Sequence, residues 1–148
     1  MLTEKEAVEL INVFKILTDN VVDLPHIGNS KELEVIQKYN SKQKFTVYIR
    51  RSGRNINKIS YHAMDNKTKT SLMRLDIVDK DHAHKNPNGE IIYGPHLHIF
   101  KDNFEIKFAK EFNVDNKNLV QSCLTFFKLF NIIDVDQNNV YEELLLLN

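Results

Sequence analysis

KFTVYIRRSGRNINKISYHAMDNKTKTSLMRLDIV, residues 44–78, holds three runs in which apolar and polar side chains alternate. KFTVYIRR (44–51), INKISYHAM (56–64) and SLMRLDIV (71–78) are separated by the turn-like SGRN (52–55) and DNKTKT (65–70). Alternation with period two marks half-buried strands, and short polar connections join such strands antiparallel. On this reading Phe45, Val47, Ile49, Ile59, Tyr61, Leu75 and Ile77 share the core face. Tyr48, Arg50, Ser60, His62, Arg74 and Asp76 share the other.

The pattern extends in both directions. ELEVIQKY (32–39) precedes the block across the turn-like NSKQ, and PHLHIFK (95–101) follows the loop DKDHAHKNPNGEIIYG. In this last run Leu97 and Ile99 are the natural core side, which places His96, His98 and Phe100 opposite. Thr3 and Glu6 make a capping-box pattern, and apolar residues from Ala7 to Leu17 recur at helical spacing, predicting a helix over about 3–19. Residues 20–30, with Pro25, Gly28 and Asn29, read as a loop. Asp115 is placed to cap a second helix over about 116–131, with a wide apolar stripe from Leu119 to Phe130. The final VYEELLLLN fits a short helix or a last strand. The expectation is one α+β domain over residues 1–148: an N-terminal helix, an antiparallel β-meander of about five strands, and a C-terminal helical segment.

Composition narrows the classes. With 42% hydrophobic and 27% charged residues, the chain is ordinary for a globular domain and has no apolar run of the ~18 residues that span a bilayer. MLTEKEAVEL is charged where a signal peptide is apolar, so a cytoplasmic protein is expected. The single cysteine, Cys123, excludes an internal disulfide and sits in the apolar run SCLTFFKLF, which favours a core role. Zero net charge argues against a general nucleic-acid coat. The charge is uneven, however. Residues 41–64 carry Lys42, Lys44, Arg50, Arg51, Arg54 and Lys58 without a carboxylate, whereas Asp134, Asp136, Glu142 and Glu143 gather near the end. Such asymmetry suits an anion-binding face, and equally a solvated hairpin edge.

HKNPNGEIIYGPHLHIF (84–100) holds three of the six histidines, two of the three prolines and two of the four glycines. Together with the preceding RLDI (74–77) it is similar to a family of uncharacterised bacterial and prophage proteins. That family has an R-L-D-I strand, an H-x-N-P-x-G turn and a G-P-H-x-H strand. The matching positions are Arg74, Asp76, His84, Asn86, Pro87, Gly89, Gly94, Pro95, His96 and His98. His82 has no counterpart in that pattern. The resemblance implies a grouping and no assigned reaction. For the turn residues 86–89 the simpler role is structural, since Pro presets φ and Gly or Asn tolerates φ above zero.

If neighbouring strands pair, one sheet face collects Tyr48, Arg50, His62, Arg74, Asp76, His96 and His98, with His84 above it. Three uses fit that set. The leading one is a metal-independent endoribonuclease of a toxin, defence or counter-defence system, needing no cofactor. His96 and His98 are then base and acid, with His84 as the alternate acid. Arg74 and Arg50 clamp phosphate, and Asp76 orients an imidazole. Arg51, Arg54, Lys58, Tyr48 and His62 serve the RNA strand, Tyr48 by stacking. The second is a metal site, in which His84, His96 and His98 bind zinc or another divalent transition metal beside Asp76. The third is a non-enzymatic mobile-element inhibitor, anti-CRISPR-like, that binds a host nuclease through the basic hairpin and the acidic tail.

Overall fold

The computed structural model describes residues 2–114 and 118–142. Along the chain these form α1 (Glu4–Asn12), β1 (Lys15–Leu17), β2 (Val22–Leu24), β3 (Ser30–Gln37), β4 (Asn40–Arg51), β5 (Ile59–Asp65) and β6 (Thr70–Ile77). There follow β7 (Ala83–Lys85), β8 (Ile91–Tyr93), β9 (His96–Ile99), β10 (Ala109–Glu111), α2 (Leu119–Leu129) and β11 (Val140–Glu142). Seven strands make one sheet in the order β1-β3-β4-β5-β6-β9-β10, every neighbouring pair antiparallel. β7 and β8 form a separate hairpin, and β2 pairs with β11 in parallel. The molecule is α+β, with the five expected strands at the centre of the sheet. The strand number is larger than expected, because β1, β2, β7, β8, β10 and β11 are three residues each. Segments that short carry too few alternations to show a period.

The first helix is shorter than its periodicity suggests. Its capping box at Thr3 and Glu6 forms as read, but α1 ends at Asn12 and Val13 is already extended. Lys15–Leu17 pair instead with residues 35–37 of β3. Lys15 explains the stop. Its side chain is fully buried, and Nζ donates to the carbonyls of Ile11 (2.8 Å), Val13 (2.9 Å) and Phe130 (2.8 Å). The same ammonium lies 3.9 Å from the Phe130 ring centre and 5.0 Å from that of Phe45. One side chain thereby satisfies carbonyls at the C-terminal ends of both helices, where the helix dipole favours a cation. Burial pushes its amine down to about 7; the three carbonyls and two ring faces act against that shift.

α2 is capped by Asn118, whose side chain accepts from Gln121 N–H; the expected cap, Asp115, lies outside the described residues. The helix packs on the face formed by Phe45, Val47, Ile49, Tyr61, Leu75 and Ile77, all fully buried. Tyr61 stacks on Phe126 at 5.6 Å and Phe45 meets Phe130 edge-on at 5.4 Å. The Tyr61 hydroxyl lies 2.7 Å from Ser122 Oγ. Cys123 is fully buried here, and burial raises its thiol pKa well above the usual value. Phe100 departs from the expected face. β6 carries Leu72 as an extra, bulged residue, Phe100 N–H donates to its carbonyl as β9 ends, and the Phe100 ring joins the core. VYEELLLLN opens as a strand at Val140–Glu142; residues 143–148, Glu143 included, lie outside the described residues. No helix among the described residues is long and apolar enough to cross a membrane.

Candidate functional site

With α2 on one face of the sheet, the polar residues of β4, β5, β6 and β9 occupy the other. Cross-strand pairing sets Tyr48, His62, Arg74 and His98 in one row and Arg50, Ser60, Asp76 and His96 in the next. The rows converge on one carboxylate oxygen. Asp76 Oδ2 lies 3.0 Å from Arg74 Nε, 3.2 Å from His96 Nε2 and 3.1 Å from His98 Nε2. Arg74 Nη2 is 3.2 Å from His98 Nε2. Both imidazoles are buried, at 3% and 1% exposure. Burial of Asp76 works against its charge, but the His96 and His98 hydrogen bonds and the Arg74 charge outweigh it. The carboxyl is held well below the usual carboxylate range.

Each ring is oriented from behind. His96 Nδ1 donates to Gly94 O at 2.9 Å, and His98 Nδ1 donates to Ile106 O at 2.6 Å. A carbonyl only accepts, so both Nδ1 atoms carry hydrogen and both Nε2 atoms face Asp76. His84, from β7, closes the cluster with ring centres 5.1 Å from His96 and 4.9 Å from His98. Its Nε2 donates to Asn86 Oδ1 at 3.1 Å and Lys107 O at 3.3 Å. Burial, and then the charges of His98 and His96, push the His84 ring below its ordinary pKa.

Besides the His84–Lys107 bond, Asn86 docks the β7–β8 hairpin on β10. Asn86, buried, donates Nδ2–H to Ala109 O and accepts from Ala109 N–H, both at 2.9 Å. It thus completes a strand-like pairing with β10, while Gly89 N–H closes the turn onto Asn86 O at 2.9 Å with φ +90. Gly94, at φ +81, leads into β9 where an added Cβ would meet Lys80 Cα at 3.6 Å.

A cavity of about 610 Å³ opens beside the cluster, lined by Arg50, Arg51, Arg54, Lys58 and Arg74, with Asp76 its only carboxylate among the described residues. His82 and His96 also border it. A second cavity of about 390 Å³ is bordered by Arg74, His84, His98 and Lys107. Arg74 lines both cavities; the second also carries Lys85 and Glu105 on its wall. Arg51 is partly committed: its guanidinium donates to Pro25 O at 3.3 Å and Ile56 O at 3.4 Å, tying the hairpin tip to the neighbouring loop. Tyr48 and His62 stack at 5.6 Å further along the same face. Burial, and then the Arg74 charge, lower the His62 pKa.

A family model described as a family of unknown function, DUF6978, matches residues 2–132. The chain belongs to that family. No curated protein and no solved structure matches the chain. The DUF6978 match runs from α1 through α2 and so includes every residue of the histidine cluster.

Within this DUF6978 chain, Arg74, Asp76, His84, His96 and His98 form one contact set, and Arg50, Arg51, Arg54 and Lys58 form the wall of the adjoining cavity. Tyr48 and His62 are on the expected face, beside the cavities. Two residues were undervalued in the sequence. His82 lies parallel to His96, with ring centres 6.4 Å apart; its two-residue spacing from His84 was the available signal. The sequence marks Asn86 as a turn residue; its reciprocal bonds to Ala109 have no sequence signal, because the partners are 23 positions apart. In the acidic tail, Asp134 accepts from Leu17 N–H and Asp136 from Asn138 N–H, so both are used within the fold.

Proposed function

We propose that this chain is a small endoribonuclease whose substrate strand lies along the two cavities that Arg74 lines and whose reacting phosphodiester sits over Arg74. The supporting observation is the convergence of His96 Nε2, His98 Nε2 and Arg74 Nε on Asp76 Oδ2, beside both cavities. Hydrogen-bond polarity assigns the roles. Both Nε2 atoms face Asp76 Oδ2, to which each can only donate, but His98 Nε2 alone also lies within reach of Arg74 Nη2–H, a donor that favours a lone pair there.

His98 is the base and His96 the acid. His98 takes the ribose 2′-hydroxyl proton, the 2′-oxygen bonds to phosphorus, and the bond from phosphorus to the 5′-oxygen breaks. His96 gives its proton to that leaving oxygen. The products are a 2′,3′-cyclic phosphate and a 5′-hydroxyl. Arg74 stabilises charge on the phosphorane, and Asp76 positions both rings. Single-stranded RNA suits the cationic cavities that border the buried histidines, with Tyr48, stacked on His62, as the aromatic side chain further along the same face.

The test is cleavage of single-stranded RNA by purified protein in chelator, with analysis of the product ends. Cyclic phosphate ends, lost in both His96→Ala and His98→Ala, are the expected result. Folded wild-type protein that cleaves no RNA under these conditions overturns the proposal.

A further inference from the structure

We infer that His84, His96 and His98 form a binding site for a divalent transition metal, zinc being the ion they suit best. The three rings offer ligand nitrogens that all lie within 4.8 Å of one another. More telling is what holds the other nitrogen of each ring. His96 Nδ1–H is bonded to Gly94 O, His98 Nδ1–H to Ile106 O, and His84 Nε2–H to Lys107 O and Asn86 Oδ1. Metal-bound imidazoles are oriented in this way, with the distal N–H donated to a carbonyl or carboxylate so that the remaining lone pair points at the ion. Here that leaves His96 Nε2, His98 Nε2 and His84 Nδ1.

The Asn86 assignment is itself secured, since its Nδ2 must donate to Ala109 O and its Oδ1 must accept from Ala109 N–H. His84 Nε2 therefore meets acceptors alone and carries the hydrogen.

Asp76 places an oxygen donor beside two of the three nitrogens. Two ligand atoms ~2.0–2.1 Å from one ion, at tetrahedral or octahedral angles, are about 2.9–3.4 Å apart. Asp76 Oδ2 is 3.2 Å from His96 Nε2 and 3.1 Å from His98 Nε2. Arg74 reaches Asp76 Oδ2 through Nε at 3.0 Å and His98 Nε2 through Nη2 at 3.2 Å, so an ion bound here takes over those contacts from the guanidinium. The His96 lone pair and the carboxylate repel unless a proton or a cation lies between them. Imidazole nitrogens with one carboxylate favour zinc, cobalt or nickel over magnesium or calcium. The two cavities that border the cluster give access for a further ligand.

The ion takes the Nε2 atoms that the ribonuclease reading assigns to proton transfer, and it binds only where His96 has given up its Nε2 proton. Where that reading holds, metal-loaded protein is inactive and the ion acts as an inhibitor. The site itself does not depend on that reading.

The test is titration of chelator-treated protein with Co²⁺, followed by visible absorption and competition with Zn²⁺, with no RNA present. One saturable site displaced by Zn²⁺ is expected. His84→Ala, a change on the surface hairpin, should weaken Co²⁺ at least about 10-fold while circular dichroism stays native. His98→Ala should do the same, and His26→Ala, on the Pro25 loop, should not. Folded wild-type protein with no saturable Co²⁺ site, or binding unchanged in His84→Ala, overturns the inference. Because the readout contains no RNA, its failure leaves the cleavage result standing, and failed cleavage leaves the metal result standing.

Discussion

Asp76 and His96 are direct cross-strand partners, and their side chains meet with Oδ2 3.2 Å from Nε2. The strand register thus brings the carboxylate and the imidazole side by side, and the Gly94 carbonyl, just before β9, sets the ring's orientation. Asp76→Asn keeps the shape and removes the charge. RNA cleavage should fall by about 10²–10⁴-fold, the range for loss of positioned acid–base catalysis. A folded Asp76→Asn protein with wild-type turnover would exclude Asp76 from the mechanism.

Arg74 touches Asp76 through Nε and His98 through Nη2 at once, a fork that an ammonium cannot reproduce. Arg74→Lys should therefore lose most cleavage while retaining much of its RNA affinity. Comparable losses in turnover and affinity would mean that Arg74 acts as an ordinary phosphate contact.

Arg54 and Lys58 line the larger cavity near the hairpin tip. If they neutralise phosphates, each alanine substitution should weaken single-stranded RNA binding and reduce the slope of log K against log salt by about 0.7. Fluorescence anisotropy at several salt concentrations measures this directly. An unchanged slope would place the RNA elsewhere.

Asn86→Ala removes three side-chain bonds, one from His84 and two with Ala109, and takes the partners from the backbone N–H and C=O of Ala109. A loss of about 2–4 kcal/mol in unfolding free energy is expected. Limited proteolysis should find its first cleavage in the β7–β8 hairpin. Asn86→Asp should rescue little, because a carboxylate cannot donate to Ala109 O.

Lys15 makes stability depend on pH. Its folded pKa is lowered to about 7, against an unfolded value of 10.5. Between those values the unfolded chain binds more protons, so stability rises with pH across that window. Below about 7 both states are charged and the slope vanishes. The difference in unfolding free energy between wild type and Lys15→Met, measured from pH 7 to 10, should grow in favour of wild type by up to about 1.4 kcal/mol per pH unit. A flat difference would show that the three carbonyls keep the ammonium charged.

The histidine face was legible because a period of two is a local property. Tyr48, Arg50, His62, Arg74, Asp76, His96 and His98 stand at alternate positions of their strands, so pleating alone puts them on one side. The N-terminal helix was only half legible. Ala7 and Ile11 continue naturally into Phe14 and Leu17 at helical spacing, yet β1 pairing and the buried Lys15 end the helix at Asn12. Phe100 was misplaced because alternation fails where β9 ends beside the bulge at Leu72.

By itself the sequence determined the antiparallel centre of the sheet, its two faces and the chemical identity of the cluster, since all three depend on residue type and near-neighbour spacing. Tertiary structure alone decided that α2 covers the face opposite the histidines, that Asn86 clamps His84 over them, and that Ile106 and Gly94 carbonyls aim the rings at Asp76. Those outcomes rest mostly on contacts between segments far apart in the chain. Their free energy comes from packing and from satisfying buried polar groups, and no local pattern records which distant partner will supply the bond.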